Sequence, residues 1–313
     1  MNVLAIVLLG LACLACGNPT VSSAEEKPAS TAQPQAPASS LPHINADRAL
    51  QYTREVTDIG PRPVGSEGHA KLQAYLRSHL KGVSVDEDAF TAQTPAGKFP
   101  MSNIVAKFPG TKDGIIVIAG HYDTVRALKG FVGANDGGSS TGLPLELAEQ
   151  FKGHKLDGYS VWIVWLDGEE TVATLAWNDS DSLYGSRHLA QKWAQDGTLK
   201  KIRAFLLLDM IGDKDLNIER EQNSTPWLED VIYAAAGKLG YQSYFFARSE
   251  AITDDHLPFA KRGAPVADLI DLNYGPNNSY HHTLEDSLDK VSAKSLQIVG
   301  DTVLETIQML NQQ

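Results

Sequence analysis

The sequence predicts an α/β fold: one domain on a twisted, mixed but mostly parallel sheet, with helices packed on both faces. Three observations carry this. Apolar runs rich in β-branched residues alternate along the chain with stretches of helical periodicity. Several runs, such as IIVIA (115–119) and AFLLL (204–208), are apolar at every position, so both faces of those strands must be covered. At 313 residues and 42% hydrophobic, the chain can fill one large core or two smaller ones, and the unbroken alternation favours one.

The elements follow in order. NADRALQYTREVTDIG (45–60) has an Asn or Asp cap and helical spacing, and it stops at Gly60. Residues 60–82 begin as a Gly-Pro turn and become a second helix. Strands follow at 101–110 and 114–124, then a helix at 139–153. A strand at 159–170, rich in valine and tryptophan, precedes a helix at 182–195. The strand at 204–212, the helix at 225–240 and the strand at 264–272 continue the alternation, and a helix over 292–313 closes the chain. The charged stretch DKDLNIEREQ (213–222) reads as a solvated loop. Trp162 and Trp165 read as core, His188 as a helix-surface or core histidine, and His256 as a structural hydrogen-bond donor.

Before the domain lie two segments of different texture. Residues 1–16 carry an apolar run too short to span a bilayer comfortably, and it reads as the h-region of a signal peptide. Small residues before Cys16 and Gly17 after it resemble a bacterial lipoprotein cleavage site, which would leave Cys16 lipidated; simple cleavage and release is the alternative. Residues 17–42, rich in Pro, Ala and Ser, read as a flexible tether. This organisation makes residues 43–313 the catalytic domain, outside the cytoplasm, periplasmic or at the cell surface. Both cysteines, Cys13 and Cys16, fall in the leader, so the domain has no disulfide. A net charge of -11 argues against nucleic acid or anionic lipid as a partner held by bulk electrostatics, so any membrane contact runs through Cys16. Monomer is the default expectation.

In a parallel sheet, ligands bind beyond the carboxyl ends of the strands. Here those ends collect acids and imidazole: His121 and Asp123 after one run, Asp167, Glu169 and Glu170 after another, Asp209 and Asp213 after a third. Carboxylates crowded at one edge repel unless a cation sits among them or some are protonated. A divalent metal is the usual solution, with His121, Asp136, Glu170, Asp209 and His282 as candidate ligands. Ligands dispersed over loops after different strands suit a catalytic centre rather than a structural zinc finger.

The motifs GHYDT, GANDGGSSTGLPLELAE, DGEE, LLLDMIG and HHTLEDSLDKV, in this order, resemble the zinc-dependent aminopeptidase superfamily M28, across nearly all of the domain. Within it, WNDSDSLYGSRHLA and DDHLPFAKRGAPV resemble the glutaminyl cyclases, which turn an N-terminal glutamine into pyroglutamate with loss of ammonia. The resemblance implies a zinc aminopeptidase-like fold and one zinc, held by Asp136, Glu170 and His282, acting as Lewis acid on the glutamine γ-carbonyl. It implies Glu169 as general acid/base, Asp209 and Asp254 as an acid pair sharing a proton, and Trp177 as a wall of the substrate pocket. Peptide or protein N-termini would be the substrates. Two positions depart from the branch: His281 stands where a tryptophan is frequent and would shape the pocket floor, and Asp268 stands where a histidine is frequent. His282 rather than His281 is taken as the ligand because Thr283 and Asp286 follow it as in the family pattern. His121 keeps a second reading open, a two-zinc aminopeptidase with His121 and Asp209 in a second metal site. A binding module without catalysis is the third.

Overall fold

Short polar caps and apolar strands set the framework. The computed structural model describes residues 43–313; the signal-peptide, Cys16 and tether readings lie outside the described residues. Helix α1 (Ala46–Asp58) starts where the Asn45 side chain accepts the Arg48 amide, and α2 (Glu67–His79) where Ser66 accepts the His69 amide, so each satisfies a donor the helix cannot pair itself. Strands β1 (Ser84–Thr94) and β2 (Gly97–Phe108) form a long antiparallel hairpin. Then come β3 (Gly110–His121), α3 (Gly138–Phe151), β4 (Leu156–Leu166), α4 (Tyr184–Gln195) and β5 (Ile202–Asp209). The chain continues through β6 (Ile218–Glu221), α5 (Pro226–Leu239), β7 (Phe245–Glu250), the single turn α6 (Leu257–Ala260) and β8 (Val266–Ile270). It closes with α7 (Ala293–Asn311), capped by Ser292.

The main sheet has six strands in the order β1-β2-β4-β3-β5-β8. β4, β3, β5 and β8 run parallel, while β1, β2 and β4 pair antiparallel, so the sheet is mixed as expected. Alternate residues of the central strands face opposite layers. Ile116, Ile118, Ile163 and Leu206 join the core beneath α1, α3, α5 and α7. Val117, Ala119, Val164 and Phe205 join a second core, with Leu189 and Trp193 of α4 and Phe259. Trp165 is fully buried in the larger core, and Trp162 packs at the edge of the smaller one. Register brings the parallel strand ends together: His121 pairs with Leu166 and Asp209 with Ile270. Every polar group emerging past those positions therefore arrives at one edge.

Two readings are corrected. Strand β1 was not anticipated, because an edge strand with a mostly exposed, charged pattern lacks the apolar signal of its neighbours. The stretch 213–222 is not a solvated loop: Ile218–Glu221 is β6, paired parallel with β7, and Glu219 and Glu221 are buried. Both carboxylates are met by hydrogen-bond donors or a nearby imidazole. Glu221 lies 3.1 Å from His256 and accepts the amides of Asn223 and Ile252, and Glu219 accepts the amide of Leu272.

Candidate active site

The turn after β4 begins with Gly168 at φ +66°, left-handed backbone that favours glycine, and a Cβ there would also crowd the Met101 sulfur at 2.7 Å. This turn delivers Glu169 and Glu170 as neighbours. Asp123, just beyond β3, holds both: its Oδ1 accepts the Glu169 amide at 3.1 Å and its Oδ2 the Glu170 amide at 3.3 Å. Asp136 is placed by a second carboxylate in the same manner. Asp286 accepts the amides of Asn135 and Asp136 at 2.8 and 3.1 Å, and the Tyr274 hydroxyl at 2.9 Å.

The loop before Asp136 has a further anchor. Arg62, completely buried, donates to the carbonyls of Gly60, Val132 and Gly133. Burial lowers its pKa to about 10, partly offset by Asp286 and Asp136. The loop ends at Gly137, φ +77°, where a Cβ would meet the Asp123 carbonyl at 2.6 Å. Two non-glycine residues at the site also take left-handed backbone, Met210 directly after Asp209 and His282 at φ +50°. Such conformations are costly and collect where geometry is held for function.

Asp136 and Glu170 come together around the imidazole of His282, and two groups, Asp136 with His281 and His282 and Asp136 with His121 and Asp209, lie close enough to hold a metal ion. His282 Nε2 lies 3.1 Å from Glu170 Oε2 and 3.3 Å from Asp136 Oδ2. These are approaches without hydrogen-bond alignment: Asp136 Oδ2 and both Glu170 oxygens are buried with no donor. Orphaned buried carboxylate oxygens grouped around one imidazole nitrogen are a donor set suited to zinc. Without a cation the charges act on each other. Burial and Asp136 push Glu170 up to about 7. Burial opposes charge on His282, but Glu170 and Asp136 outweigh it and raise the imidazole to about 11.

A second group shares Asp136. His121 Nε2 sits 3.1 Å from both Asp136 Oδ1 and Asp209 Oδ1. Asp209 Oδ1 also accepts the Ser140 hydroxyl at 2.9 Å. His121 is fully buried; burial works against its charge, but Asp209, Asp123 and Asp136 prevail and its pKa stands well above the ordinary range.

A cavity of about 370 Å3 opens over these groups. Its walls include Asp136, Glu169, Glu170, Asp209, Asp254, His281 and His282, with Ile252, Ile270 and Leu272 supplying apolar surface. Trp177 stands at the rim, 39% exposed, its indole N–H donating to Asp179 at 2.7 Å. Glu169 points into the cavity, and burial first, then Asp254 and Glu170, raises its carboxyl well above the usual range. Asp254 is raised likewise, by burial and then by Asp209 and Asp255. All nine residues singled out in the sequence thus belong to one site: eight line the cavity, and His121 lies beneath it against Asp136 and Asp209. Sequence reasoning missed Arg62 and did not use Asp123 or Asp286 as positioning groups. Asp123 was visible at a strand end; Arg62 carried no local signal.

A mixed sheet whose parallel strand ends gather Asp, Glu and His around an apolar-walled cavity is the architecture of a metal-dependent exopeptidase-like enzyme. Comparison with known proteins agrees. Residues 103–307 match peptidase family M28. The chain is similar to the crystal structure of an Acidobacteriales bacterium glutaminyl cyclase, at 52% identity and TM-score 0.85, covering 90% of this chain and 99% of that one. It is 31% identical to the glutaminyl-peptide cyclotransferase of the snake Boiga irregularis, over 85% of this chain and 86% of the relative. A Zn-dependent exopeptidase from Parabacteroides distasonis shares the fold at TM-score 0.77 and 27% identity, covering 88% of this chain and 100% of that one. The chain belongs to peptidase family M28, in its glutaminyl cyclase branch.

Proposed function

We propose that this chain is a glutaminyl-peptide cyclotransferase that closes the N-terminal glutamine of peptides into pyroglutamate and releases ammonia. The observation that carries the reading is Glu169 facing the cavity directly beside the Asp136–Glu170–His282 donor set, with Asp254 and Asp209 opposite. Asp136, Glu170 and His282 would hold one zinc, which when bound supplies a Lewis acid for the glutamine γ-carbonyl.

The chain's own residues do the rest. Trp177 and the apolar wall of Ile252, Ile270 and Leu272 fold the glutamine side chain back towards its own amine, with His281 on the adjoining wall. An intramolecular attack needs little beyond this orientation. The α-amine nitrogen bonds to the γ-carbonyl carbon, and the bond from that carbon to the amide nitrogen breaks. Glu169 Oε takes the proton the amine loses and delivers it to the leaving ammonia. Asp254, its carboxyl raised by burial and by the neighbouring Asp209, would stabilise charge at the nitrogen together with Asp209. The aminopeptidase reading needs His121 and Asp209 as ligands of a second metal. His121, Asp136 and Asp209 do lie close enough to hold one, and the likeness to a glutaminyl cyclase at 52% identity is what favours the cyclase reading.

We also read residues 1–16 as a signal peptide and 17–42 as a tether. The enzyme then acts outside the cytoplasm as a monomer, anchored if Cys16 is lipidated. Among the described residues no helix is long and apolar enough to cross a membrane. The test of function is to incubate the zinc-loaded protein separately with a Gln-initiated and a Leu-initiated peptide and weigh the products. Loss of one ammonia from the first alone is expected. Release of the first residue from either peptide would replace the cyclase by a two-metal aminopeptidase.

A further inference from the structure

A second cavity, of about 500 Å3, lies beside the first, and Thr253 belongs to the walls of both. Its character is opposite. The protein carries a net charge of -11, and the first cavity is lined with carboxylates. The second is lined by Arg187 of α4, by Lys261 and Arg262 just after α6, and by His188. The lysine and arginine ion pairs among the described residues lie elsewhere. Among the described residues Arg187 and Arg262 donate only to backbone carbonyls, of Asp179 and Pro258 respectively, which orient the guanidinium groups without neutralising them. Lys261 and Arg262 are exposed. The one carboxylate in the groove, Asp179, is engaged by the Trp177 indole at 2.7 Å. His188 is held by Asp88 and stacked on Phe90, which forms part of the floor.

Three cations held open at a groove in an acidic protein suit an anionic ligand. A peptide whose N-terminus occupies the first cavity has to leave over its rim, and Thr253 and the Trp177–Asp179 turn form the rim shared with this groove. We propose that the groove is a subsite for the residues that follow the N-terminal glutamine, and that Arg187, Lys261 and Arg262 select peptides acidic at those positions. This rests on the cyclase reading above and adds a substrate class to it.

The test is the kinetics of three peptides, Gln-Glu-Glu-Ala, Gln-Gln-Gln-Ala and Gln-Lys-Lys-Ala, with ammonia release measured at low and high salt. Exposed ion pairs are individually weak, so the acidic peptide is expected to lead the neutral one by roughly threefold to tenfold in kcat/KM. The difference should lie in KM and shrink below about twofold in 0.5 M salt, where the screening length is only a few ångströms. The double variant Lys261→Glu/Arg262→Glu is expected to invert the order, so that the lysine peptide leads. Equal turnover of all three peptides at low salt, or an unchanged order in the double variant, would overturn the subsite and leave the cyclase intact. Ammonia from none of the three would overturn the cyclase reading, and the subsite with it.

Discussion

Glu169 and Glu170 are adjacent in sequence, the Asp123 carboxylate accepts both their amides, and the proposed function gives them opposite roles. The separation makes an expectation for each. Glu169→Gln removes the proton carrier and leaves the Asp136–Glu170–His282 set untouched. kcat should fall roughly 100-fold to 10,000-fold, the range typical of a lost general base, while zinc bound per chain stays at the wild-type value. Glu170→Gln should instead lose the metal, seen as zinc depletion after gel filtration with activity restored only by excess zinc. If Glu169→Gln also came out depleted of zinc, the assignment of the two roles would be wrong. Asp123→Asn probes the group behind both: it keeps an acceptor for one amide but loses the charge. Charge-assisted hydrogen bonds contribute about 1.5–3 kcal/mol each. The expected outcome is a loss in kcat larger than any change in KM, since the misplaced groups act at the reacting atoms.

At the scale of elements, the loop from Gly133 to Gly137 decides where Asp136 sits, and it is tied down by Arg62 from the far side of α2's start. Arg62→Ala would take the side-chain donor from the half-buried carbonyls of Gly60 and Val132 and from the buried carbonyl of Gly133. Each unsatisfied group costs about 1–3 kcal/mol, so a thermal melt should show a drop of several degrees and weaker zinc retention. This anchor also shows where legibility stopped. Strands β3, β4 and β5 were readable because uninterrupted apolar runs mark buried strands, and the acids just past them were readable as a site because parallel strand ends coincide. Hydrophobic periodicity reports burial only when apolar side chains do the burying. Arg62 is buried by its hydrogen bonds to residues some seventy positions on, Glu221 by His256, and His69 by Asp167 at 2.7 Å. β6 was invisible for the same reason, since its charges looked solvated and their partners lie on other elements, whereas β1 is an edge strand whose residues are mostly exposed.

For the whole molecule, buried carboxylates that do not themselves line the site cavity predict how stability answers to pH. Asp271, just past β8, accepts the Asn217 amide, and Glu219 of β6 accepts the Leu272 amide. Burial, reinforced by Glu219 and Asp213, pushes Asp271 up to about 8, and burial pushes Glu219 up to about 7. In the unfolded chain both ionise near pH 4. The folded state therefore holds protons that the unfolded state has released. Stability from this source is fully present below about pH 4 and is lost as pH rises through the folded values near 7 and 8. The loss is on the order of a few kcal/mol. Asp271→Asn keeps an oxygen for the Asn217 amide and has nothing to titrate. Urea unfolding of the two proteins at pH 5 and pH 8 isolates the effect. The wild type should lose more stability between the two pH values than the variant, with the gap appearing at pH 8. Parallel losses would mean that Asp271 is ionised in the folded protein, stabilised by a cation such as Arg248, whose charge opposes the upward shift of both acids.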